Sequence, residues 1–200
     1  MLLDADECQL VLVDYQERLM PVIDEAPGVL ANARRLARMA RCVHVPVWGT
    51  EQNPARLGAN DAELRGLCGQ TLAKMHFSAV ADGLTDLLTP DIVPPKGNAR
   101  SLPRHLRKNE PQRPERACIV IAGCEAHVCL LQTALDLIDE EWDVWVVTDA
   151  CGSRTERSRD AAFDRLAGAG AELVTTEMVA FEWLRTCEHP AFKEVHALIK

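Results

Sequence analysis

The sequence predicts an α/β fold in three layers, with a doubly wound parallel sheet of about six strands in the order 3-2-1-4-5-6 flanked by helices. Short apolar runs alternate along the chain with segments of helical periodicity, which is typical of βαβ units. Right-handed crossovers turn such units into an open sheet with helices on both faces. The length of 200 residues suits one core of this kind, so residues 1–200 are predicted to form a single domain.

Apolar runs define the predicted strands, and a repeat of three to four residues defines the predicted helices. The strands are Gln9–Val13, Val43–Trp48, Ala117–Ala122, Asp143–Val147 and Glu172–Val174. Helices are predicted at Leu30–Arg41, at Ser158–Ala167 and in a C-terminal tail through Trp183 and Ala191–Ile199. A further helix after Gly123 would carry one apolar face, formed by Val128, Leu131, Leu135 and Ile138.

Residues that could take part in catalysis follow two of the predicted strands. Asp14 directly follows the first strand, and Gly123–Cys129 follows the most apolar strand, ACIVIA. Ligands of doubly wound sheets bind at the carboxyl ends of the strands, where the strand order reverses. If these two strands are neighbours, both segments meet at that point.

Residues 89–114 form the one segment without clear periodicity, and they are rich in Pro, Arg, Lys and Asn. The simpler interpretation is a solvated surface insertion. A lid over the active site or an oligomer contact is the alternative.

Composition and charge restrict the possible partners. A formal net charge of −8 argues against a basic face, so no nucleic-acid or membrane partner is predicted. The N-terminus lacks the features of a secretory signal, and no run approaches the ~18 apolar residues of a membrane span, so a cytoplasmic protein is expected. The eight cysteines include no C-x-x-C pair, and most are expected to be reduced thiols that fill the core.

Three residues are candidates for catalysis, and each has a simpler alternative. Cys129 is expected on the first turn of a helix, where backbone N–H groups and the helix dipole would lower its pKa and hold an oxyanion; a buried structural cysteine is the alternative. Asp14 is a candidate general base, or else a turn former or helix cap. Lys74 has no local feature that distinguishes it from a surface lysine.

The segment Gly123–Leu137, GCEAHVCLLQTALDL, resembles the signature of the isochorismatase-like cysteine hydrolases. Other blocks resemble the same family in the same order, across about Cys8 to Leu184. They are VLVDYQERLMPVI near the start, KMHFS at 74–78, TDA with Ser153-Arg154, and LVTTEM at 173–178. The stretch TEQNP at 50–54 resembles the metal-independent, YcaC-like branch of the superfamily.

The resemblance implies a Rossmann-like sheet and a catalytic triad of Asp14, Lys74 and Cys129. It also implies a cis peptide bond between Cys124 and Glu125, with the backbone N–H groups of Glu125 and Cys129 as an oxyanion hole. The expected walls of the substrate pocket are Tyr15, Gln16, Trp48, Gln52 and His127. Nicotinamidases of the superfamily bind a metal through an Asp and His residues after the second strand. Because TEQNP contains no histidine, neither a metal nor another cofactor is predicted.

The favoured hypothesis is a cysteine hydrolase that cleaves a C–N bond of a small amide or ureide through a covalent thioester. Vinyl ether hydrolysis of the isochorismate type ranks lower, because the family members that catalyse it lack the nucleophilic cysteine. A non-catalytic oligomeric scaffold or thiol sensor is the third hypothesis. The resemblance also implies a homo-oligomer, from dimer to octamer, with the C-terminal tail around Trp183 as a candidate contact.

Overall fold

The computed structural model describes residues 2–89 and 116–200, so the predicted insertion at 89–114 lies, apart from Thr89, outside the described residues. The strands are β1 (Cys8–Val13), β2 (Val47–Gln52), β3 (Gln70–Lys74), β4 (Cys118–Gly123), β5 (Asp143–Val147) and β6 (Glu172–Val174). They form one six-stranded sheet in the order β3-β2-β1-β4-β5-β6, and every neighbouring pair is parallel. The predicted fold class and strand order are confirmed.

Helices cover the sheet and bury its central strands. They are α1 (Ala26–Cys42), α2 (Pro54–Leu57), α3 (Ala62–Leu67), α4 (Leu84–Leu88), α5 (Leu131–Asp139), α6 (Glu156–Gly168), α7 (Thr176–Leu184) and α8 (Phe192–Ile199). Helix α1 packs with α3, α7 and α8, while α5 packs with α6. All six residues of β1 are buried, as expected for a parallel strand with both faces covered. In the described part of the chain, no helix combines the length and apolar character needed to cross a bilayer.

The second strand begins four residues later than predicted, at Val47 rather than Val43. Val43 caps the C-terminus of α1, and His44 has a φ of 60°, so the chain turns there instead of extending. Pro46 lacks an N–H group, but its carbonyl accepts a hydrogen bond from the N–H of Leu10 at the entry to the strand. The apolar residues before Pro46 therefore close the helix and turn.

The third strand, Gln70–Lys74, corresponds to none of the predicted apolar runs. It lies at the edge of the sheet, and only Lys74 among its five residues is buried. A polar edge strand gives no uninterrupted apolar run, so its pattern in the sequence is weak.

The helix after β4 buries the predicted face only in part, since Leu131 is buried. Val128, Leu135 and Ile138 are only partly buried, whereas Leu130, Ala134 and Leu137 are fully enclosed. The helical path begins with a π-helical turn at Ala126–Leu130, which shifts the following residues around the helix axis. Trp183, in the tail predicted as a candidate oligomer contact, is 3% exposed within the core, so its own side chain is not available for such a contact, and a contact by the rest of the tail stays a prediction.

Gly123 lies at the carboxyl end of β4, where the chain approaches β1 closely. A Cβ atom at this position would lie 2.3 Å from the backbone oxygen of Val13, which belongs to the neighbouring strand and has little room to move. We expect Gly123→Ala to reduce the free energy of unfolding by about 1–3 kcal/mol or more, as measured by urea denaturation. Gly168→Ala is the matched control, because no atom lies within 4 Å of its added methyl group. An equal effect of the two substitutions would contradict the steric account.

Candidate active site

The carboxyl ends of four neighbouring strands bring the candidate residues together. Asp14 follows β1 directly and has a φ of 55°, a conformation that few non-glycine residues adopt. Gln52 and Lys74 are the last residues of β2 and β3 and lie opposite one another in the register. Cys129 lies in the π-helical turn that follows β4. Residues separated by as many as 115 positions thus converge at the point where the strand order reverses.

Asp14 and Lys74 form a buried ion pair. Lys74 Nζ lies 2.8 Å from Asp14 Oδ2, and both side chains are 0% exposed. The hydroxyl of Thr50 donates a hydrogen bond of 2.7 Å to Asp14 Oδ1. Lys74 Nζ also donates to Gln52 Oε1 at 2.6 Å and to the carbonyl of Phe77 at 3.1 Å. Lys74 is therefore a buried cation with several oxygen partners and not a surface lysine.

Cys129 lies beside this ion pair as a neutral thiol. Its side chain is nearly buried, and its Sγ atom is 3.9 Å from Gln52 Oε1. The pKa of Cys129 is raised to about 12, first by burial and then by the carboxylate of Asp14, while the ammonium of Lys74 opposes this rise. The predicted lowering of this pKa at a helix start is wrong for the resting protein, because desolvation and Asp14 outweigh Lys74. Formation of the thiolate therefore requires a base.

The segment between β4 and Cys129 is held by contacts with the chain after β5. The peptide bond between Cys124 and Glu125 is cis. The carboxylate of Glu125 accepts two hydrogen bonds from the guanidinium of Arg154, at 2.8 and 3.1 Å. Nδ1 of His127 lies 3.0 Å from the hydroxyl of Ser153. Both contacts fix the backbone from which Cys129 projects. Ser153 and Arg154 belong to one of the blocks that resemble the family, but no role was predicted for them.

Two expected pocket residues serve the framework of the site. Tyr15 is 1% exposed, and its hydroxyl donates a hydrogen bond of 2.5 Å to the carbonyl of Ala150. Gln16 is fully buried, and its amide nitrogen donates to the carbonyls of Gln52 and Gly58. These bonds support the ends of the strands beneath the candidate catalytic groups.

Trp48 does not lie near these groups, contrary to the expectation that it lines the pocket. It is the second residue of β2, whereas Gln52 is the last. Its indole N–H donates to Gln9 Oε1, on the amino-terminal half of β1. The late start of β2 explains this difference, because Trp48 was expected at the carboxyl end of the strand.

The described residues, 2–89 and 116–200, contain no group of three or more His, Cys, Asp or Glu side chains arranged to bind a metal ion. In the TEQNP stretch, Gln52 Oε1 accepts a hydrogen bond from Lys74, and the amide nitrogen of Gln52 donates to the carbonyl of Met75. Both polar ends of this amide are thus used within the protein.

Comparison with known proteins identifies the family. A family model described as "Isochorismatase domain" matches residues 8–178. The chain belongs to the isochorismatase family. Isochorismatase domain-containing protein 2 of Pongo abelii is 36% identical over 191 residues, which cover 96% of this chain and 82% of that relative. The resemblance that the motifs indicate is therefore confirmed, and family membership indicates a hydrolase.

Solved structures of other proteins have the same architecture. The MAR1 ribonuclease of Caenorhabditis elegans is 29% identical with a TM-score of 0.83, and the match covers all of this chain and 92% of that one. The YcaC gene product of Escherichia coli, described as an octameric hydrolase of unknown specificity, is 24% identical with a TM-score of 0.78, over all of this chain and 95% of that one. YcaC proteins are thus among the structural neighbours, and at this identity the likeness concerns the fold.

Proposed function

We propose that this chain is a cysteine hydrolase that cleaves a C–N bond of a small amide or ureide. The observation that carries the proposal is the buried Asp14–Lys74 ion pair, whose two charges both act on the thiol of Cys129. A thiol under the influence of a carboxylate and a cation has the groups that nucleophilic acyl transfer requires. A structural cysteine would have no need of a buried charge pair beside it, since burying such a pair is costly.

In the first step, Asp14 accepts the thiol proton of Cys129 while sulfur attacks the substrate carbonyl carbon. The carbonyl oxygen becomes an oxyanion, which accepts hydrogen bonds from the backbone N–H groups of Glu125 and Cys129. The raised pKa of Cys129 means that proton transfer accompanies attack instead of preceding it. Lys74 stabilises the developing negative charge on sulfur while the charge on Asp14 is neutralised.

In the second step, the tetrahedral intermediate collapses and Asp14 returns the proton to the leaving nitrogen. The C–N bond breaks, an amine or ammonia departs, and a thioester joins the acyl group to Cys129. Asp14, again a carboxylate, then removes a proton from a water molecule that attacks the thioester. The tetrahedral intermediate then collapses, the C–S bond breaks, and Asp14 gives its proton to the leaving sulfur, which releases a carboxylic or carbamic acid and restores both the thiol and the carboxylate.

The other hypotheses have weaker support. Vinyl ether hydrolysis needs no nucleophilic sulfur and gives Cys129 no part in the reaction. A passive scaffold or thiol sensor gives no reason for the buried charges of Asp14 and Lys74. The ribonuclease name of the C. elegans relative suggests RNA, but the net charge of −8 disfavours a polyanionic substrate. A small, weakly charged amide fits better.

We also propose that the protein is a homo-oligomer in the cytoplasm. Met75 and Phe77, which follow Lys74, are 66% and 52% exposed, and contact with a second copy would cover them. YcaC of E. coli is described as an octamer, which supports this proposal. All eight cysteines are free thiols, as is usual in a reducing compartment.

A screen of small amides and ureides for release of ammonia or acid tests the proposed reaction. We expect turnover of at least one compound class by the wild type and none above background by Cys129→Ala, with unchanged circular dichroism. Cys151→Ala is the matched control, since this buried cysteine also has a pKa raised to about 12 but lies after β5. Full turnover by Cys129→Ala would exclude the covalent mechanism.

A further inference from the structure

Two thiols face each other at the amino ends of β1 and β4, whereas the candidate active site lies at the carboxyl ends of these strands. Cys8 and Cys118 are the first residues of these strands and are paired in the register. Their Sγ atoms are 3.4 Å apart. We propose that Cys8 and Cys118 form an oxidisable dithiol, a modification site at which peroxide produces an intrachain disulfide between the two central strands.

The geometry permits the bond with little movement of the backbone. Neighbouring strands of a sheet lie about 4.7–4.9 Å apart, and the Cα atoms of disulfide-bonded cysteines are usually about 4.4–6.8 Å apart. Cys8 and Cys118 are directly opposite one another, so their Cα atoms lie near this range. Because the sulfur atoms are already in contact, rotation of the side chains brings them within bonding distance.

The immediate surroundings favour reaction of one sulfur. Sharing a hydrogen bond with Cys118 lowers the pKa of Cys8, while the same contact raises the pKa of Cys118. The guanidinium of Arg116 donates a hydrogen bond of 2.8 Å to the carbonyl of Cys8. Cys8 is buried, but Cys118 is only partly buried, which gives a molecule as small as hydrogen peroxide a way to the pair. A lowered pKa favours the thiolate form that reacts with oxidants.

The chemistry balances with hydrogen peroxide as the sole oxidant. One thiol is oxidised to a sulfenic acid as the O–O bond of the peroxide breaks, and one water molecule forms. The second sulfur then attacks the sulfenic sulfur, the S–S bond forms, and hydroxide leaves with the second thiol proton as another water molecule. Two thiols and one peroxide therefore give one disulfide and two water molecules. A thiol reductant reverses the modification by thiol–disulfide exchange.

Oxidation at this pair is separate from the reaction proposed at Cys129. Asp14 lies six positions after Cys8, at the far end of β1, a distance of roughly 20 Å at about 3.3 Å per residue. A disulfide at the amino ends would thus join the two strands that position the site without contacting it.

Peptide mapping after oxidation tests the proposal on the intact wild-type protein. The protein is treated with hydrogen peroxide, unfolded, blocked with N-ethylmaleimide, digested without reduction and analysed by mass spectrometry. We expect a peptide that joins Cys8 to Cys118, with a mass lower by two hydrogen atoms than the sum of its parts. Dithiothreitol before blocking should remove this peptide and restore both thiols.

Variants and an internal reference complete the experiment. Cys8→Ser and Cys118→Ser should each abolish the linked peptide, whereas Cys42→Ser should retain it. The exposed Cys187 reports the extent of general oxidation. Recovery of Cys8 and Cys118 as separate thiols, or as separately oxidised residues, in wild-type protein whose Cys187 is oxidised would overturn the proposal. Because the wild type alone decides this, a variant that fails to fold does not affect the conclusion.

Discussion

Lys74→Met is expected to reduce the free energy of unfolding by about 3–5 kcal/mol. The substitution keeps a side chain of similar length but removes the cation, so the carboxylate of Asp14 remains buried without its partner. It also removes the donor to Gln52 Oε1 and to the carbonyl of Phe77. A buried charge or acceptor without a partner carries the full cost of desolvation. Urea denaturation at neutral pH measures the loss.

Two comparisons separate this effect from a general loss of charge. Arg38→Met removes an exposed cation that pairs with Glu63, and we expect a change below about 1 kcal/mol. The double variant Lys74→Met/Asp14→Asn removes both buried charges. Its loss of stability should be smaller than the sum of the two single effects by about 0.5–3 kcal/mol. Additive losses, or a Lys74→Met protein as stable as Arg38→Met, would show that the two groups are not a coupled pair.

Asp14→Asn is expected to slow substrate hydrolysis but to speed up alkylation of Cys129. The amide cannot accept a proton, so hydrolysis of any substrate found by the screen should slow by about 10²–10⁴-fold. The same change removes the negative charge that raises the pKa of Cys129 and leaves the cation of Lys74, which lowers it. The thiolate fraction at neutral pH therefore increases. Each unit by which the pKa falls gives about tenfold faster alkylation by iodoacetamide.

Opposite effects on hydrolysis and on alkylation would show that Asp14 acts as a base and not only as a structural residue. A substitution that only disordered the site would slow hydrolysis without a matching shift of the thiol pKa. Glu51→Gln is the matched control, since Glu51 is a carboxylate next to Gln52 on β2, whereas the main charges that act on Cys129 are those of Asp14 and Lys74. Its alkylation rate should equal that of the wild type. If Asp14→Asn slows hydrolysis and alkylation together, Asp14 does not act on the thiol as proposed.

The fold was predictable because β1 and β4, at the centre of the sheet, are runs of mostly apolar residues. Asp143–Val147 and Glu172–Val174 begin and end as predicted. The sequence pattern did not predict the structure where contacts with another segment of the chain decide the local conformation. Val43 and Val45 have the side chains of a strand but complete the turn after α1. Gln70–Lys74 forms a strand because it pairs with β2, although most of its residues are not buried.

The candidate site was predictable in its members but not in its electrostatics. Asp14 and Cys129 follow neighbouring strands, and this position alone predicts that they meet. Lys74 lies on a strand that the pattern does not reveal, so only the family resemblance pointed to it. No role was predicted for Thr50, which donates a hydrogen bond to Asp14. In β2, Thr50 is paired with Val13, the residue before Asp14. The raised pKa of Cys129 depends on burial, which a local motif does not encode.

The pH dependence of Cys129 alkylation in the native protein tests the coupling of the three groups most directly. Because the pKa of Cys129 is raised to about 12, the neutral thiol dominates at physiological pH, and the rate should increase about tenfold per pH unit through pH ~10 without reaching a plateau. The Asp14→Asn curve should lie at lower pH. A wild-type plateau at or below pH ~8.5, or identical curves for the two proteins, would contradict the account.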